Sequence, residues 1–475
     1  MFVEAKDFPP GHVERAQVCV FGSGPAGMTV ARSLEAKGLD VIMVEAGGFD
    51  FEDESQAFYR GTVIGDRYFD LSEARLRMFG GTSNHWGGWC IPLSPQDFGT
   101  HPGFDNAAWP ITHEDLAPYI PEACEILEIG TDFSESEYTP EVQKTRFQYS
   151  SVLFGIKFRG ICEESKRLRV ALNSALTGLA LEGTAIRSAE ITSYADTSWR
   201  IEADRYILCL GGIENSRMLL WLNEQANGGL IRNGDLLGRY WSEHPQAYLG
   251  EVVFEQTGPD FYVQNKASFR LNAATQRAAG VLNAGILLQE EWYKGTKAMI
   301  ADLLCVAPEL GRRMMDALGQ NELICGARVR SHWEQETIRD NRVALGKERD
   351  PYGIPTPELH WRRTEKDRNT VVQTTRIFAD SIARHGRGRM RLADWILNDE
   401  PIPDETTMAG WHHLGGTRMS DSPASGIVDP DLRVHGIDNL YVGGSSVFAS
   451  GGAGNPTLTI VKLSLRLAEH LAAGH

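Results

Sequence analysis

Three things are scarce in this 475-residue chain: a surplus of basic charge, paired cysteines and long apolar runs. Lysine and arginine number 47 against 63 aspartates and glutamates, a formal charge of −16. Composition therefore supplies no cationic face for nucleic acid or an anionic membrane, and small molecules are the better partners. The cysteines (Cys19, Cys90, Cys124, Cys162, Cys209, Cys305, Cys325) are odd in number and never spaced Cys-x-x-Cys. That pattern points away from a disulfide scaffold or zinc ribbon, and a reducing compartment fits it. No 18 consecutive apolar residues occur, and Met1 to Ala16 has neither an apolar signal core nor twin arginines. No membrane span is expected, and the chain reads as soluble and cytoplasmic. Gly-x-Ser-x-Gly and His-Glu-x-x-His are also missing, so serine hydrolysis and zinc chemistry have no support, and no metal site is expected.

What is present is an ordinary globular composition, 42% hydrophobic and 23% charged, with a glycine excess. The 49 glycines exceed the roughly 33 that average usage gives. At about 150 residues per domain the length suggests about three domains.

Many of the extra glycines sit in motifs. Gln17 to Phe21 is a short β-rich run ending in Gly22-Ser23-Gly24-Pro25-Ala26-Gly27, after which Met28 to Lys37 reads as a helix. Gly22 permits the tight turn, Gly24 lets backbone amides approach a pyrophosphate, and Gly27 allows close helix packing. A second strand, Asp40 to Val44, delivers Glu45, where a carboxylate would bind ribose hydroxyls. This is a dinucleotide cradle that FAD and nicotinamide cofactors share. Between Arg75 and Trp89, glycine pairs at Gly80-Gly81 and Gly87-Gly88 flank Asn84-His85-Trp86, a backbone able to lie against a flat ligand. Near the C-terminus, Leu440 to Gly443 reads as a strand, Gly451 to Gly454 as a turn, and Pro456 to His470 as an amphipathic helix starting at a proline. The positive end of that helix suits electron-rich oxygens or a reduced flavin.

These segments, with Ala203 to Leu220 (ADRYILCLGGIENSRMLL) and Gly410 to Met419 (GWHHLGGTRM), resemble the glucose-methanol-choline (GMC) flavoprotein oxidoreductases. In motifs the chain is similar to the pyranose oxidase-like branch, which oxidises sugars and glycosides. Trp109-Pro110-Ile111 and the Leu237 to Pro245 segment (LGRYWSEHP) are further signposts; only about 270 to 330 lacks such marks. The resemblance implies an α/β fold: a Rossmann-like FAD-binding domain (14–110, 165–245 and 405–475) interleaved with a substrate domain (111–164 and 246–404) of mainly antiparallel sheet capped by helices. Two interleaved domains thus replace three in series. The resemblance further implies that FAD is bordered by Gly22, Gly24, Gly27, Glu45, Gly81, Thr82, Asn84, His85, Trp86, Ser446, Pro456 and Thr457. Gly444 stands where the family's Asp-x-Ser contact has its aspartate, so only Ser446 of that pair is kept. Asn84-His85-Trp86 is similar to the Thr-His-Trp segment in which the histidine is bonded to the flavin; a covalent link through His85 and a non-covalent contact both stay open.

Oxidising an alcohol requires removal of the hydroxyl proton as well as hydride loss, so a base must stand near the flavin. Histidine suits the task, its ordinary pKa lying near working pH. His413, four residues before Thr417, matches the family's base, and His412 is expected to point the other way. Asn455 matches the second active-site position, its competing reading being an N-cap before Pro456. The implied reaction is oxidation of a hydroxyl of a sugar, glycoside or polyol to a carbonyl, the proton going to His413 and the hydride to flavin N5. A hydroxynitrile lyase-type enzyme and a non-catalytic flavin subunit are the alternatives. The electron acceptor (oxygen, a quinone or a protein), the exact substrate and the oligomeric state are left open.

In the middle of the chain, Ala344 to Leu359 reads as strands around Pro-Gly turns and Gln289 to Gln320 as mainly helical, including one helix through Met299 to Met315. Trp333, Tyr352 and Trp361 could stack on sugars, although packing is the commoner fate of half-buried strand aromatics.

Overall fold

The computed structural model describes residues 1–475 apart from 4, 6, 7, 10, 194–196, 256, 258–260, 292, 320–322, 405, 406 and 475. Its first sheet grows from apolar runs too continuous to leave a face in water. Val41–Val44 is buried at every position, as are the last four residues of Val13–Phe21. Such strands need cover on both faces and favour parallel pairing. Val13–Phe21 pairs in parallel with Val41–Val44 on one side and with Ser198–Leu208 on the other. The distal end of Ser198–Leu208 also pairs in parallel with Leu440–Val442, while its start continues antiparallel into Ala185–Ser193 and Ser174–Glu182. Three distant stretches of chain thereby share one sheet. Helices Pro25–Ala36 and Pro456–Ala473 pack against each other beside it. The helices Ile120–Leu127 and Phe154–Glu164 place Leu127, Phe154 and Phe158 in the same core.

The second sheet is antiparallel, in the order Gly388–Leu392, Pro245–Phe254, Ala327–Trp333, Ala284–Glu290, Lys266–Leu271, Val142–Thr145, Glu135–Glu137. Strict alternation along Ala327–Trp333 sends Ala327, Val329, Ser331 and Trp333 to one face. Helix Glu365–Arg384 covers that face with Val371, Phe378 and Ile382, in one core with Phe269 and Trp333. The opposite face carries Arg328, Arg330 and His332 and turns towards Ala453, whose carbonyl oxygen lies 3.1 Å from His332 Nε2. The α/β fold, with a Rossmann-like sheet and an antiparallel sheet backed by helix, is the one expected.

Three local expectations are corrected. The strands Arg342–Arg349 and Pro355–Trp361 do not join the large antiparallel sheet; they form a separate small one, with Thr62–Gly65 parallel to the second. Met299 to Met315 is not one helix but two, Thr296–Val306 and Pro308–Ala317, because Pro308 disfavours helical geometry at Ala307. The expected helical end at Gln320 lies outside the described residues. Cys305 and Cys325 form a disulfide, with Cα atoms 5.0 Å apart. Spacing rules missed it because the fold, not a motif, joins two residues 20 apart. Trp333 and Trp361 are core residues, 0% and 2% exposed, so neither can stack on a sugar. Among the described residues no helix is long and apolar enough to cross a membrane.

Candidate active site

The turn after Val13–Phe21 depends on absent side chains. Gly22 has φ +96°, and a Cβ there would stand 2.4 Å from the Cys209 carbonyl oxygen. A Cβ on Gly27 would stand 1.9 Å from the Gly22 carbonyl oxygen, whereas around Gly24 there is open space. Glu45 fixes the turn from the next strand. Its carboxylate accepts the Ser23 amide at 2.9 Å, the Ser23 hydroxyl at 2.6 Å and the Gly47 amide at 2.9 Å. Burial nonetheless pushes its pKa upward.

Gly22, Gly24 and Glu45 border a cavity of about 530 Å³ that also reaches Gly81, Thr82, His85, Trp86, Asn455, Pro456 and Thr457. Two helix N-termini open onto it, at Pro25 and at Pro456. Their unpaired amides favour negative charge. A ligand with a phosphate centre and electron-rich carbonyl oxygens on its ring suits these two N-termini, and FAD has both.

Three residues expected to border the cofactor do not line this cavity: Gly27, which packs against the Gly22 carbonyl, and Asn84 and Ser446, whose polar atoms are held elsewhere. Asn84 is tied to backbone: its Nδ2 donates to Phe79 O at 2.8 Å and its Oδ1 accepts the Gly155 amide at 3.1 Å. Ser446 is fully buried, its Oγ accepting Asn215 Nδ2 at 2.9 Å and paired with the Thr417 hydroxyl at 2.7 Å. Ser445 borders the cavity in its place. His85 does border it, stacked against Trp411 with ring centroids 5.7 Å apart, and Trp86 Nε1 donates to Val152 O at 2.8 Å.

A smaller cavity of about 220 Å³ adjoins the first, and His412, Asn455, Gln246 and Trp89 border both. His412 therefore faces the cavities rather than away from them. Its environment fixes its tautomer. His244 Nε2 lies 2.9 Å from the Gly452 carbonyl, which can only accept, so that nitrogen carries the proton. Burial holds the His244 pKa down at about 3, so its Nδ1 is a lone pair. His412 Nδ1 lies 2.8 Å from it and must donate, which leaves the lone pair of His412 on Nε2. That atom is 3.4 Å from Asn455 Nδ2. Burial and the neighbouring His244, His332 and His413 keep the His412 pKa well below its ordinary value. Asn455 makes no side-chain cap to its helix, so its amide is not spent on the backbone.

His413 also borders the larger cavity but packs inward. Its ring lies 5.8 Å from that of Trp241 and 6.4 Å from that of Tyr68, and its buried Nε2 has no hydrogen-bond partner. Burial pushes its pKa to about 3, helped by Arg75. Below the pair, Glu243 accepts the His412 amide at 2.8 Å and the Tyr68 hydroxyl, and burial raises its carboxyl to about 7. His244 and His332 were not singled out from sequence. The His244 signal lay in the Glu-His-Pro signpost; His332 shows only through strand alternation, which sets it opposite Gln246.

Residues 337–464 match the GMC oxidoreductase family. The chain is 21% identical to the fructose dehydrogenase large subunit of Gluconobacter japonicus, over 96% of this chain and 97% of that protein. It is 24% identical to the 6'''-hydroxyparomomycin C oxidase of Streptomyces lividus over 98% and 93%. The chain is thus similar to GMC oxidoreductases, through the family match in its C-terminal part and through relatives aligned over nearly its whole length. The structure of pyridoxine 4-oxidase from Mesorbium loti has the same fold, with TM-score 0.61 and 17% identity, covering 97% of this chain and all of that one. The relatives it resembles are named as a dehydrogenase and an oxidase, and the matching family model is that of an oxidoreductase.

Proposed function

We propose that this chain is an FAD-dependent oxidoreductase of the GMC kind that oxidises a hydroxyl of a small carbohydrate-like molecule, with His412 as proton acceptor and Asn455 holding the substrate oxygen. The carrying observation is the His244–His412–Asn455 chain, which leaves one lone pair, His412 Nε2, facing the cavity beside an amide donor. A neutral, tautomer-locked imidazole can take the hydroxyl proton as the carbon is oxidised, a contribution of roughly 10²- to 10⁴-fold in rate. FAD, when bound, would take the two electrons and hydrogen from that carbon. The glycine turn and Glu45 would hold its phosphate and ribose side, and Pro456 and Thr457 its ring. His85, at the cavity border, is the one side chain for which a covalent link to FAD is proposed. In the same reading the FAD-binding domain comprises 14–110, 165–245 and 405–475, and the substrate domain the remainder from 111 to 404.

A second assignment has its own support: His413 sits at the family's motif position, borders the cavity as a residue and has a buried Nε2 with no partner. Anaerobic flavin bleaching by substrate in His412→Ala and His413→Ala separates the two. Loss of about 10²-fold or more in the first alone, with flavin retained, supports His412; loss in the second alone supports His413. A flavin that no alcohol bleaches would favour a lyase-type or non-catalytic role.

A further inference from the structure

The smaller cavity has an uneven electrostatic lining. Its far wall is the polar face of the antiparallel sheet. The register sets Lys266 opposite Gln289, Arg270 opposite Gly285, and Leu287 between Ser268 and Arg330. Strand alternation brings Lys266, Ser268 and Arg270 to one face with Gly285, Leu287 and Gln289, and with Arg330 and His332. Small residues at 268 and 285 leave space between the long cationic ones. The lining holds Lys266, Arg270 and Arg330 and not a single aspartate or glutamate. In a chain of charge −16 this is the reverse of the average surface.

Packing accounts for part of the set. Arg270 is paired with Glu135 from the sheet edge, and Lys266 Nζ lies over the Trp89 ring, 4.2 Å from its centre. Lys266 makes no ion pair among the described residues. A half-buried lysine without an ion-pair partner is unfavourable unless an anion compensates it. The apolar side of the cavity, from Trp89, Ile91, Pro92 and Phe147, offers none. Burial and the nearby Arg330 both depress the Lys266 pKa, the response of a cation without a counter-ion.

We infer that the substrate carries an anionic group, a carboxylate or a phosphate ester, that docks on Lys266 and Arg330 while its reacting hydroxyl lies at His412 and Asn455. A volume of about 220 Å³ suits one small sugar acid or sugar phosphate, not a chain of sugars. This inference rests on the hydroxyl-oxidising reading for its chemistry but not for its anion site.

Two readouts on the flavin-loaded enzyme test it. The first is calorimetric binding of glucose, gluconate and glucose 6-phosphate under anaerobic conditions; the second is flavin bleaching by the same three. Gluconate or glucose 6-phosphate should bind about 10-fold or more tighter than glucose, and which of the two does so identifies the anionic group. Lys266→Met should cut that preference about 10-fold. Gln289→Glu, which sets a carboxylate opposite Lys266, should do likewise should the first variant not fold. Anions that bind in this Lys266-dependent way without bleaching the flavin would uphold the anion site and overturn the oxidation reading. Glucose binding as well as both anions, or a preference unmoved by both variants, would overturn the inference.

Discussion

The imidazoles of His244 and His412 meet Nδ1 to Nδ1 at 2.8 Å, so one proton at most lies between them, and the Gly452 carbonyl decides that His412 owns it. The consequence for pH follows directly. Burial and three neighbouring imidazoles depress the His412 pKa, so it stays an unprotonated base well below pH 6.5. The acid limb of kcat/KM for substrate-driven flavin reduction should therefore fall well below 6.5; a limb at 6.5 or above contradicts the assignment. His244→Phe removes the acceptor and should slow flavin reduction by about 10²-fold with flavin content retained.

The second prediction concerns stability. His413 is buried neutral, with its pKa near 3 against 6.5 in the open chain. Below pH 6.5 the unfolded chain takes up a proton that the folded one refuses, so stability is complete above 6.5 and declines as pH falls towards 3. His413→Phe should flatten that decline. Urea midpoints at pH 7 and pH 4.5 measure it, and a variant whose midpoint drops as far as wild type refutes it.

Gly27→Ala brings a methyl within 1.9 Å of a backbone oxygen that cannot rotate away. Flavin occupancy, read from the ratio of visible to ultraviolet absorbance, should fall at least about 10-fold, equivalent to about 1.4 kcal/mol. Normal occupancy would mean the turn is not part of the cofactor cradle.

A buried ion network joins Arg75, the helix Glu214–Gln225 and Asp350 beside the small sheet. Glu214 accepts Arg75 Nη1 at 2.6 Å and Arg217 Nη1 at 3.0 Å, and Arg217 Nη2 reaches Asp350 at 2.6 Å. Glu214→Gln leaves Arg75 without its carboxylate and should cost about 3 kcal/mol in urea unfolding, the lower end for a broken buried pair because Asp350 still holds Arg217. A change below about 1 kcal/mol would place this group with ordinary surface pairs.

Thiol titration of the denatured, unreduced protein should count five free cysteines, rising to seven after reductant, because Cys305 and Cys325 are joined. Seven before reduction would mean the pair is open in solution.

The strand–turn–helix was legible because each of its parts is local: a strand, two glycines, Gly22 and Gly27, whose missing Cβ atoms have steric meaning, and a carboxylate ending the next strand. The choice between His412 and His413 was not. Counting back from Thr417 assumes a regular path, but Trp411 adopts φ +56° immediately before the pair, and Gly415 and Gly416 are also left-handed. These bends set the paths of both imidazoles, which border the larger cavity while only His412 also borders the smaller one, and they have no signature in residue spacing. The cationic wall was equally invisible, since Lys266 and Arg330 stand on strands that meet only through the Ala284–Glu290 strand between them. Asn84 and Ser446 illustrate the converse: their motif positions are right for the loop, but backbone and side-chain hydrogen bonds already claim their polar atoms.

Ser198–Leu208 serves as a hub, pairing with the strand that begins at Val13 and with the one that ends at Val442. During synthesis the N-terminal half can form its pairing early, yet the other edge of the hub waits until more than 230 further residues have left the ribosome. The strand Leu440–Val442 and the helix Pro456–Ala473 that borders the cavity reach the fold together, long after the hub they complete. A chain truncated before Leu440 should therefore emerge as a flavin-free, aggregation-prone product rather than a smaller working enzyme.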